Sequence, residues 1–358
     1  MTTPNAMKTA IVTGGCGGIG FGLVSYLLSQ PDWRVVIADI RADAYTPIAA
    51  KLDRDRHLFV ATDVGSWDSQ AALFRQAFAW SGGRIDFLAA NAGTAEKEHI
   101  ALANPMAPDA DPDSEPLPPP MHCTQVNQIG VFYGLKLFIH YSRRTAKAML
   151  AAAAQSTNGA EASATTLNPT SSSSSLLSPA AAAAAAAGYN PKVVITSSCA
   201  GLYPFPVAPE YCATKHAVLA LTRSVGAMLL ATDNLAVNCI NPAYVDTGMT
   251  PSAVTAQWPP EWITPVSTMV RAYAELISET GRVAQDGRSD GVDGVVKTGQ
   301  SVECVVDRLF YRRPVDYADE SQRFLIEQSL DLQHGLWWKG ARERFANRQA
   351  AADQVGAT

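Results

Sequence analysis

Apolar runs and helix-spaced apolar residues alternate along most of the chain. A strand that is buried on both faces carries few polar residues, so short uninterrupted apolar runs predict strands. The amino-terminal part has four such runs: 9–13, 34–40, 57–62 and 85–90. Residues 18–29 and 67–80 repeat their apolar positions every three or four residues and predict helices packed on one side.

The rest of the chain continues this alternation. Residues 126–150 and 211–231 predict long helices, and residues 192–196 and 235–240 predict buried strands. A seventh strand is predicted at 300–306. Strands that alternate with helices form a parallel sheet covered on both faces, so the predicted fold class is α/β, a doubly wound parallel sheet of the Rossmann type.

Three segments interrupt this pattern. Residues 94–121 are rich in proline and aspartate, residues 151–190 contain a serine run and an alanine octet, and residues 281–297 are rich in glycine and aspartate. Proline removes backbone donors, and low-complexity sequence buries too little apolar surface to offset chain entropy. We therefore predict a single domain, residues 8–306, with surface insertions at these three segments, followed by a C-terminal extension at 307–358.

Composition narrows the class of protein. Of the 358 residues, 47% are hydrophobic and 17% are charged, which fits a chain with a large core. The net charge of -5 argues against nucleic acid as a partner. No run of about 20 apolar residues predicts a membrane span, and no signal peptide is predicted at the start. The six cysteines form no C-x-x-C pair, so the sequence predicts no metal site, reduced thiols and a cytoplasmic protein.

A glycine-rich turn joins the first predicted strand to the first helix. Residues 13–20 read TGGCGGIG in one-letter code. A dinucleotide pyrophosphate needs a sharp turn, a close backbone approach and the free N–H groups of a helix N-terminus. The predicted cofactor contacts in this turn are Gly14, Gly18, Ile19 and Gly20.

An acidic residue, Asp39, lies near the end of the second predicted strand. A carboxylate there accepts hydrogen bonds from the adenosine ribose hydroxyls and repels a 2′-phosphate, so Asp39 favours NAD over NADP. Arg41 lies two residues later and offers a charge that would compensate such a phosphate. NAD is therefore the predicted cofactor, with NADP as the alternative.

Two further groups of residues follow buried strands. Asp63 and Val64 come after the third strand, and Asn91, Ala92 and Gly93 come after the fourth. Open α/β sheets bind their ligands at the carboxyl ends of the strands, so these residues are predicted cofactor contacts. Taken by itself, an acid or amide at a strand end is more often a simple turn former than a ligand contact.

The strongest chemical signal lies around the fifth strand. Ser198 follows that strand, and Tyr211 and Lys215 are four residues apart, on one face of the next helix. A tyrosine has a reference pKa of about 10 and needs a nearby ammonium to act as a base near neutral pH. Lys215 is placed to supply that charge and to bind ribose hydroxyls, and Ser198 to bind the substrate oxygen.

Together these motifs resemble the short-chain dehydrogenase/reductase family, from residue 8 to about residue 247. Residues 13–20 match the family's TGxxxGxG turn, and residues 91–93 match its NAG motif. The resemblance implies that Asn127 completes a catalytic tetrad with the serine, tyrosine and lysine. It also implies that Tyr211 and Lys215 contact the cofactor as well as the substrate.

A second stretch of the resemblance follows the sixth strand. Residues 241–247 resemble the family's PGxxxT segment, with Ala243 in place of glycine. The resemblance implies cofactor contacts from Pro242, Val245 and Thr247, the threonine binding the nicotinamide carboxamide.

The finer resemblance is to the hydroxyprostaglandin dehydrogenase branch and its fungal relatives, through residues 198–204 and 211–216. That branch is NAD-linked and oxidises secondary alcohols on apolar molecules. The resemblance thus implies hydride transfer between a nicotinamide cofactor and a secondary alcohol or ketone, with Tyr211 as general acid/base. It also implies a homodimer formed through helices 126–150 and 211–231.

Several alternatives stay open. The enzyme alternative is an NADP-dependent ketoreductase of secondary metabolism. The other classes are a catalytically silent cofactor-sensing protein and an interaction protein whose insertions bind partners. Met249, Trp258 and Trp262 fit either an apolar lid over the substrate or packing against the domain.

Overall fold

The computed structural model describes residues 7–101, 113, 115–157, 182, 185–186, 188–331 and 334–340. The chain divides into two compact units, Met1–Arg312 and Arg313–Thr358. The first unit contains the sheet and every predicted site residue.

Eight strands form one sheet in the described part of the first unit, in the order β3-β2-β1-β4-β5-β6-β7-β8. Their bounds are β1 Lys8–Thr13, β2 Trp33–Asp39, β3 His57–Ala61, β4 Phe87–Ala90, β5 Lys192–Thr196, β6 Ala236–Pro242, β7 Ser301–Val305 and β8 Arg308–Tyr311. β1 to β7 pair in parallel, and β8 pairs antiparallel with β7. The strand order reverses between β1 and β4, which is where doubly wound sheets bind their ligands.

Helices of the first unit cover both faces of this sheet. The helices of this unit are α1 Gly18–Ser29, α2 Ala42–Ala49, α3 Trp67–Trp80, α4 Gly130–Thr157, α5 Pro209–Asp233, α6 Ser252–Thr255 and α7 Val266–Ile277. The second unit contains α8 Glu320–Arg323. A π-helical turn, Thr124–Ile129, precedes α4, and a 3₁₀ turn, Cys199–Gly201, follows β5. Short turns of the same kinds occur at Pro260–Trp262 and Phe324–Ser329.

Two apolar clusters hold the layers together. One joins the sheet to α3, α4 and α5 and includes Phe74, Phe138 and Val218, all fully buried. The other joins the opposite face to α1 and α7 and includes Leu27 and Tyr273, also fully buried. Strands covered on both faces explain the near-continuous apolar runs, and the predicted doubly wound Rossmann-type fold is confirmed.

Five elements of the structure were not predicted from the sequence: α2, α6, α7, α8 and β8. β8 makes the sheet mixed rather than purely parallel. α7 buries Met269, Ala272, Tyr273 and Leu276, whose spacing is helical, but the prolines just before it obscure the pattern. Met269 therefore belongs to the core.

The predicted insertions and domain bounds stay predictions. α4 continues through Thr157, β8 lies beyond residue 306, and residues 281–297 form no helix or strand. Much of the segment 151–190 lies outside the described residues. In the second unit, Asp319 caps α8 by accepting the N–H of Gln322 at 3.0 Å. Within the described ranges, no helix is long and apolar enough to cross a membrane.

Candidate active site

The glycine-rich turn between β1 and α1 is shaped by contacts that only glycine permits. Gly14 and Gly18 have φ values of 65° and 50°, the left-handed region that side chains disfavour. A Cβ on Gly20 would lie 2.1 Å from the carbonyl oxygen of Gly14. Ile19, between Gly18 and Gly20, packs against the apolar cluster beneath α1. The turn thus brings the backbone close to the N-terminus of α1, which fits a dinucleotide pyrophosphate.

Asp39 lies at this turn with its carboxylate almost fully buried. Oδ2 accepts the N–H of Cys16 at 3.1 Å, and Oδ1 accepts the N–H of Arg41 at 3.1 Å. The Arg41 guanidinium lies 3.7 Å from the same carboxylate, and a Cβ on Gly17 would lie 3.6 Å from it. Asp39, which would repel a 2′-phosphate, and Arg41, which would compensate its charge, therefore both border the turn.

Asp63 and Val64 follow β3, as predicted. Asp63 is exposed, and its Oδ1 accepts the N–H of Gly65 at 2.8 Å, which closes a local turn. The carbonyl of Val64 accepts the side-chain N–H of Gln70 at 2.6 Å. A Cβ on Gly130 would lie 2.8 Å from that carbonyl, so the start of α4 packs against this loop.

Asn91 joins the ends of three strands. Its amide donates to the carbonyl of Thr13 at 3.0 Å, and its Oδ1 accepts the hydroxyl of Thr196 at 3.1 Å. The N–H groups of Asn91 and Ala92 both donate to the Thr13 hydroxyl at 3.0 Å. The Asn91 side chain thus holds the cofactor edge in shape, and Gly93 is the exposed member of the motif.

The loop after β6 approaches the glycine turn from the other side. Pro242 ends β6 and is buried, and Val245 packs against the same cluster as α1. A Cβ on Gly18 would lie 2.9 Å from the Cβ of Thr247. Thr247 and the turn are therefore in contact, as a shared cofactor site requires.

Ser198 and Tyr211 meet beside the end of β5. Ser198 caps the 3₁₀ turn by accepting the N–H of Ala200 at 3.2 Å. Burial raises the pKa of Tyr211 to about 12, and the neighbouring Ser198 hydroxyl acts against that rise. The serine and the tyrosine predicted to act together are thus neighbours at the end of β5.

Lys215 lies one helical turn below Tyr211 and is buried. Its Nζ donates to the carbonyl of Thr196 at 2.9 Å and lies 5.4 Å from the centroid of the Tyr211 ring. Burial lowers the pKa of Lys215 to about 8. The hydroxyl of Ser197 donates to the carbonyl of Lys215 at 2.8 Å, which ties α5 to the end of β5.

Asn127 lies in the π-helical turn before α4, 1% exposed. Its Oδ1 accepts the N–H of Thr94 at 2.8 Å, and its Nδ2 donates to the Thr94 carbonyl at 3.0 Å. A Cβ on Gly93 would lie 3.2 Å from Asn127 Oδ1 and 3.5 Å from Lys215 Nζ. Gly93 therefore separates the asparagine from the lysine, and π turns of this kind occur often at functional sites.

Exposed aromatic and apolar side chains lie on the loops beyond this cluster. Phe205 lies 6.3 Å from Tyr211, centroid to centroid. Trp258 stacks on Tyr244 at 4.3 Å, and Met249 is 47% exposed. Phe205 thus gives Tyr211 an apolar neighbour. Within the described ranges, no three His, Cys, Asp or Glu side chains are grouped to hold a metal ion.

Sequence reasoning missed the residues that support the site. Thr13, Thr94, Thr196 and Ser197 each bind the backbone or side chain of a predicted site residue. For Thr13, Thr196 and Ser197, a position at or directly after the end of a strand was a usable signal, since that edge carries the ligand. Thr94, and Glu96, which accepts the N–H of Tyr211, had no such signal because both lie in a segment predicted to be an insertion.

The sequence and the fold match known proteins. The family model for short chain dehydrogenase matches residues 8–165 and 160–258. A short-chain dehydrogenase/reductase of Penicillium rubens, prx6, is 28% identical over 295 residues, 82% of this chain and 79% of the relative. The NADP-dependent dehydrogenase M3 of a Phoma species is 26% identical over 306 residues, 84% of this chain and 71% of the relative.

Solved structures share the fold. A 3-ketoacyl-(acyl-carrier-protein) reductase from Brucella melitensis, complexed with NADH, superposes with a TM-score of 0.58 at 18% identity, over 84% of this chain and 98% of that chain. The family model spans more than half of the chain, which confirms the predicted family. This protein therefore belongs to the short-chain dehydrogenases/reductases, oxidoreductases that use a nicotinamide cofactor to interconvert CH–OH groups and ketones.

Proposed function

We propose that this protein is an NAD-linked dehydrogenase of secondary alcohols carried on apolar small molecules. The observation that carries the proposal is the buried group at the end of β5, in which Ser198 neighbours Tyr211 and the Lys215 Nζ lies 5.4 Å from the centroid of the tyrosine ring. The exposed aromatic ring of Phe205 beside Tyr211 supports an apolar substrate.

Each candidate catalytic residue has a distinct task. Ser198 holds the substrate oxygen beside Tyr211, whose phenolic oxygen takes the hydroxyl proton in oxidation and returns it in reduction. Lys215 supplies the positive charge that favours the phenolate, and Asn127 fixes the segment after β4 next to that lysine. When bound, NAD supplies a hydride acceptor and a positive charge beside the phenol.

The cofactor would be held by the edge of the sheet. The glycine turn fits the pyrophosphate, and Gly14, Gly18, Ile19 and Gly20 are its contacts there. The further contacts we assign are Asp39, Asp63, Val64, Asn91, Ala92, Gly93, Tyr211, Lys215, Pro242, Val245 and Thr247.

The preference for NAD rests on Asp39. Its buried carboxylate borders the turn and would repel a 2′-phosphate. The second candidate, an NADP-dependent ketoreductase, is favoured by the Arg41 guanidinium beside Gly17 and by a relative whose name is NADP-dependent. We retain NAD because the carboxylate is held in place by the Cys16 N–H, while Arg41 is 63% exposed.

We also propose a homodimer in the cytoplasm. Phe132 on α4 is 46% exposed, and a second copy of the chain would cover it. Phe138 and Val218, on the same two predicted interface helices, are fully buried within the domain and are not available to a partner.

The direct test replaces Tyr211 with phenylalanine. We expect turnover of secondary alcohols with NAD to fall at least about a hundredfold, since general acid/base catalysis contributes roughly that much or more. NADH affinity, measured by fluorescence titration, should stay within about threefold. Unchanged turnover in Tyr211→Phe would refute the assigned role, and a silent wild-type protein that still binds NADH would favour a cofactor-sensing role.

A further inference from the structure

The helix that carries Tyr211 lacks a cap of its own. α5 begins at Pro209, and its N-cap residue, Ala208, has no side-chain oxygen. The first N–H groups of a helix have no partner inside it, and a capping side chain usually bonds the third one. Here the third residue is Tyr211 itself, and its N–H donates to Oε2 of Glu96 at 3.0 Å.

Glu96 belongs to a segment, residues 94–99, that contacts three parts of the site; we call it the strap. Thr94 makes two hydrogen bonds with Asn127, at 2.8 and 3.0 Å. His99 bonds the carbonyl of Pro206, on the loop after β5, at 2.8 Å. The strap thus joins the asparagine, the tyrosine and the loop bordering the site.

The environment of the Glu96 carboxylate shows that it is no ordinary surface charge. Its second oxygen, Oε1, is buried and has no hydrogen-bond partner among the described residues. Burying an unpaired carboxylate oxygen is costly. The neighbouring acid, Glu210, instead bonds Thr124 at 2.8 and 3.0 Å, so the two carboxylates at this helix end have separate tasks.

We propose that Glu96 is a positioning residue that caps α5 from outside and fixes Tyr211 against Ser198. It does not touch the reacting atoms. A carboxylate at a helix N-terminus is favoured by the helix dipole as well as by the hydrogen bond. The role rests on the proposed function of Tyr211, because the strap positions the residue that moves the proton.

The test compares three variants of the full chain. Glu96→Ala removes the acceptor, Glu96→Gln keeps a carbonyl oxygen in the same place, and Glu98→Ala removes an exposed charge from the same strap. We expect kcat to fall about tenfold in Glu96→Ala, with KM for NAD unchanged, and to stay within about threefold of wild type in the other two. A loss in Glu96→Gln equal to that in Glu96→Ala, or an unaltered Glu96→Ala, would overturn the proposal.

Hydrogen exchange gives a readout that does not depend on activity. The amide of Tyr211 should exchange at least about tenfold faster in Glu96→Ala than in Glu96→Gln, Glu98→Ala or wild type. Equal exchange in all four proteins would refute the cap even if the wild-type enzyme proved inactive. Fast exchange in Glu96→Ala together with a silent wild-type protein would instead leave the cap standing and remove the proposed function.

Discussion

The ionisable side chains of the site lie in an environment that opposes charge. From the sequence, the Lys215 ammonium is expected to lower the pKa of Tyr211. Burial instead dominates and raises the pKa of Tyr211 to about 12. Burial also lowers the pKa of Lys215 to about 8, so at neutral pH the lysine is charged and the phenol is protonated. In the proposed mechanism the resting phenol donates its proton to a ketone, whereas oxidation requires a further positive charge, which bound NAD would supply.

Lys215→Met tests that burial argument through stability. The unfolded lysine has a pKa near 10.5, so between pH 8 and 10.5 the unfolded chain binds more protons and this group makes stability rise with pH. At pH 7 the variant should be more stable than wild type by about 2 kcal/mol, because the buried charge is gone. The loss of the donor to the Thr196 carbonyl offsets part of that gain. The gain should shrink as the pH approaches 10.5, as followed by urea unfolding.

The control is Lys192→Met, at the opposite end of β5. Burial lowers the pKa of Lys192 to about 8 as well, but this lysine lies far along the strand from Ser198. Both variants should gain stability at pH 7, and only Lys215→Met should lose turnover. A Lys215→Met protein that is less stable than wild type at pH 7 would contradict the burial argument.

We expect Asp39 and Arg41 to decide between the two cofactors. We expect kcat/KM of the wild type to be at least about tenfold higher with NAD than with NADP. Asp39→Ala should lower this NAD-to-NADP ratio about tenfold, because it removes the repulsion of a 2′-phosphate. Arg41→Ala should weaken NADP use and leave NAD use nearly unchanged. A wild-type preference for NADPH above tenfold would show that the guanidinium outweighs the carboxylate.

At the level of elements, the sequence predicted what local chemistry determines. The glycine turn was found because contacts such as Gly20 against Gly14 exclude other residues, and Tyr211 with Lys215 because four-residue spacing puts both on one helical face. Asn127 required the family resemblance, since a π turn has no such spacing signature. Glu96 could not be predicted, because its contact with Tyr211 joins segments distant in sequence.

Two glycines in the same turn give a matched prediction. Gly20→Ala places a methyl group 2.1 Å from the Gly14 oxygen, so the turn must open. We expect NADH affinity to fall more than tenfold and stability to drop by about 2 kcal/mol. Gly17→Ala meets its nearest atom only at 3.6 Å, in extended backbone, and should bind NADH normally in the same fluorescence titration. Equal NADH affinity in the two variants would contradict the assignment of the glycine-rich turn as the pyrophosphate site.

At the scale of the whole molecule, the homodimer is a prediction that can be tested directly. Sedimentation should show a dimer for wild type and a monomer for Phe132→Glu, because a charge on the exposed face of α4 would be buried in the contact. Val292→Glu changes an apolar residue that is even more exposed, in the segment 281–297, and should stay dimeric. A monomeric wild type would refute the homodimer. Dimers in both variants would show that the interface lies away from Phe132.

The central claim concerns the whole enzyme acting through Tyr211. A secondary alcohol deuterated at the carbinol carbon is incubated with the protein and NAD, and the reduced cofactor is analysed for deuterium. The account predicts deuterium in NADH, slower turnover than with the unlabelled alcohol, and neither signal from Tyr211→Phe at equal cofactor occupancy. Deuterium transfer by Tyr211→Phe at the wild-type rate would contradict it.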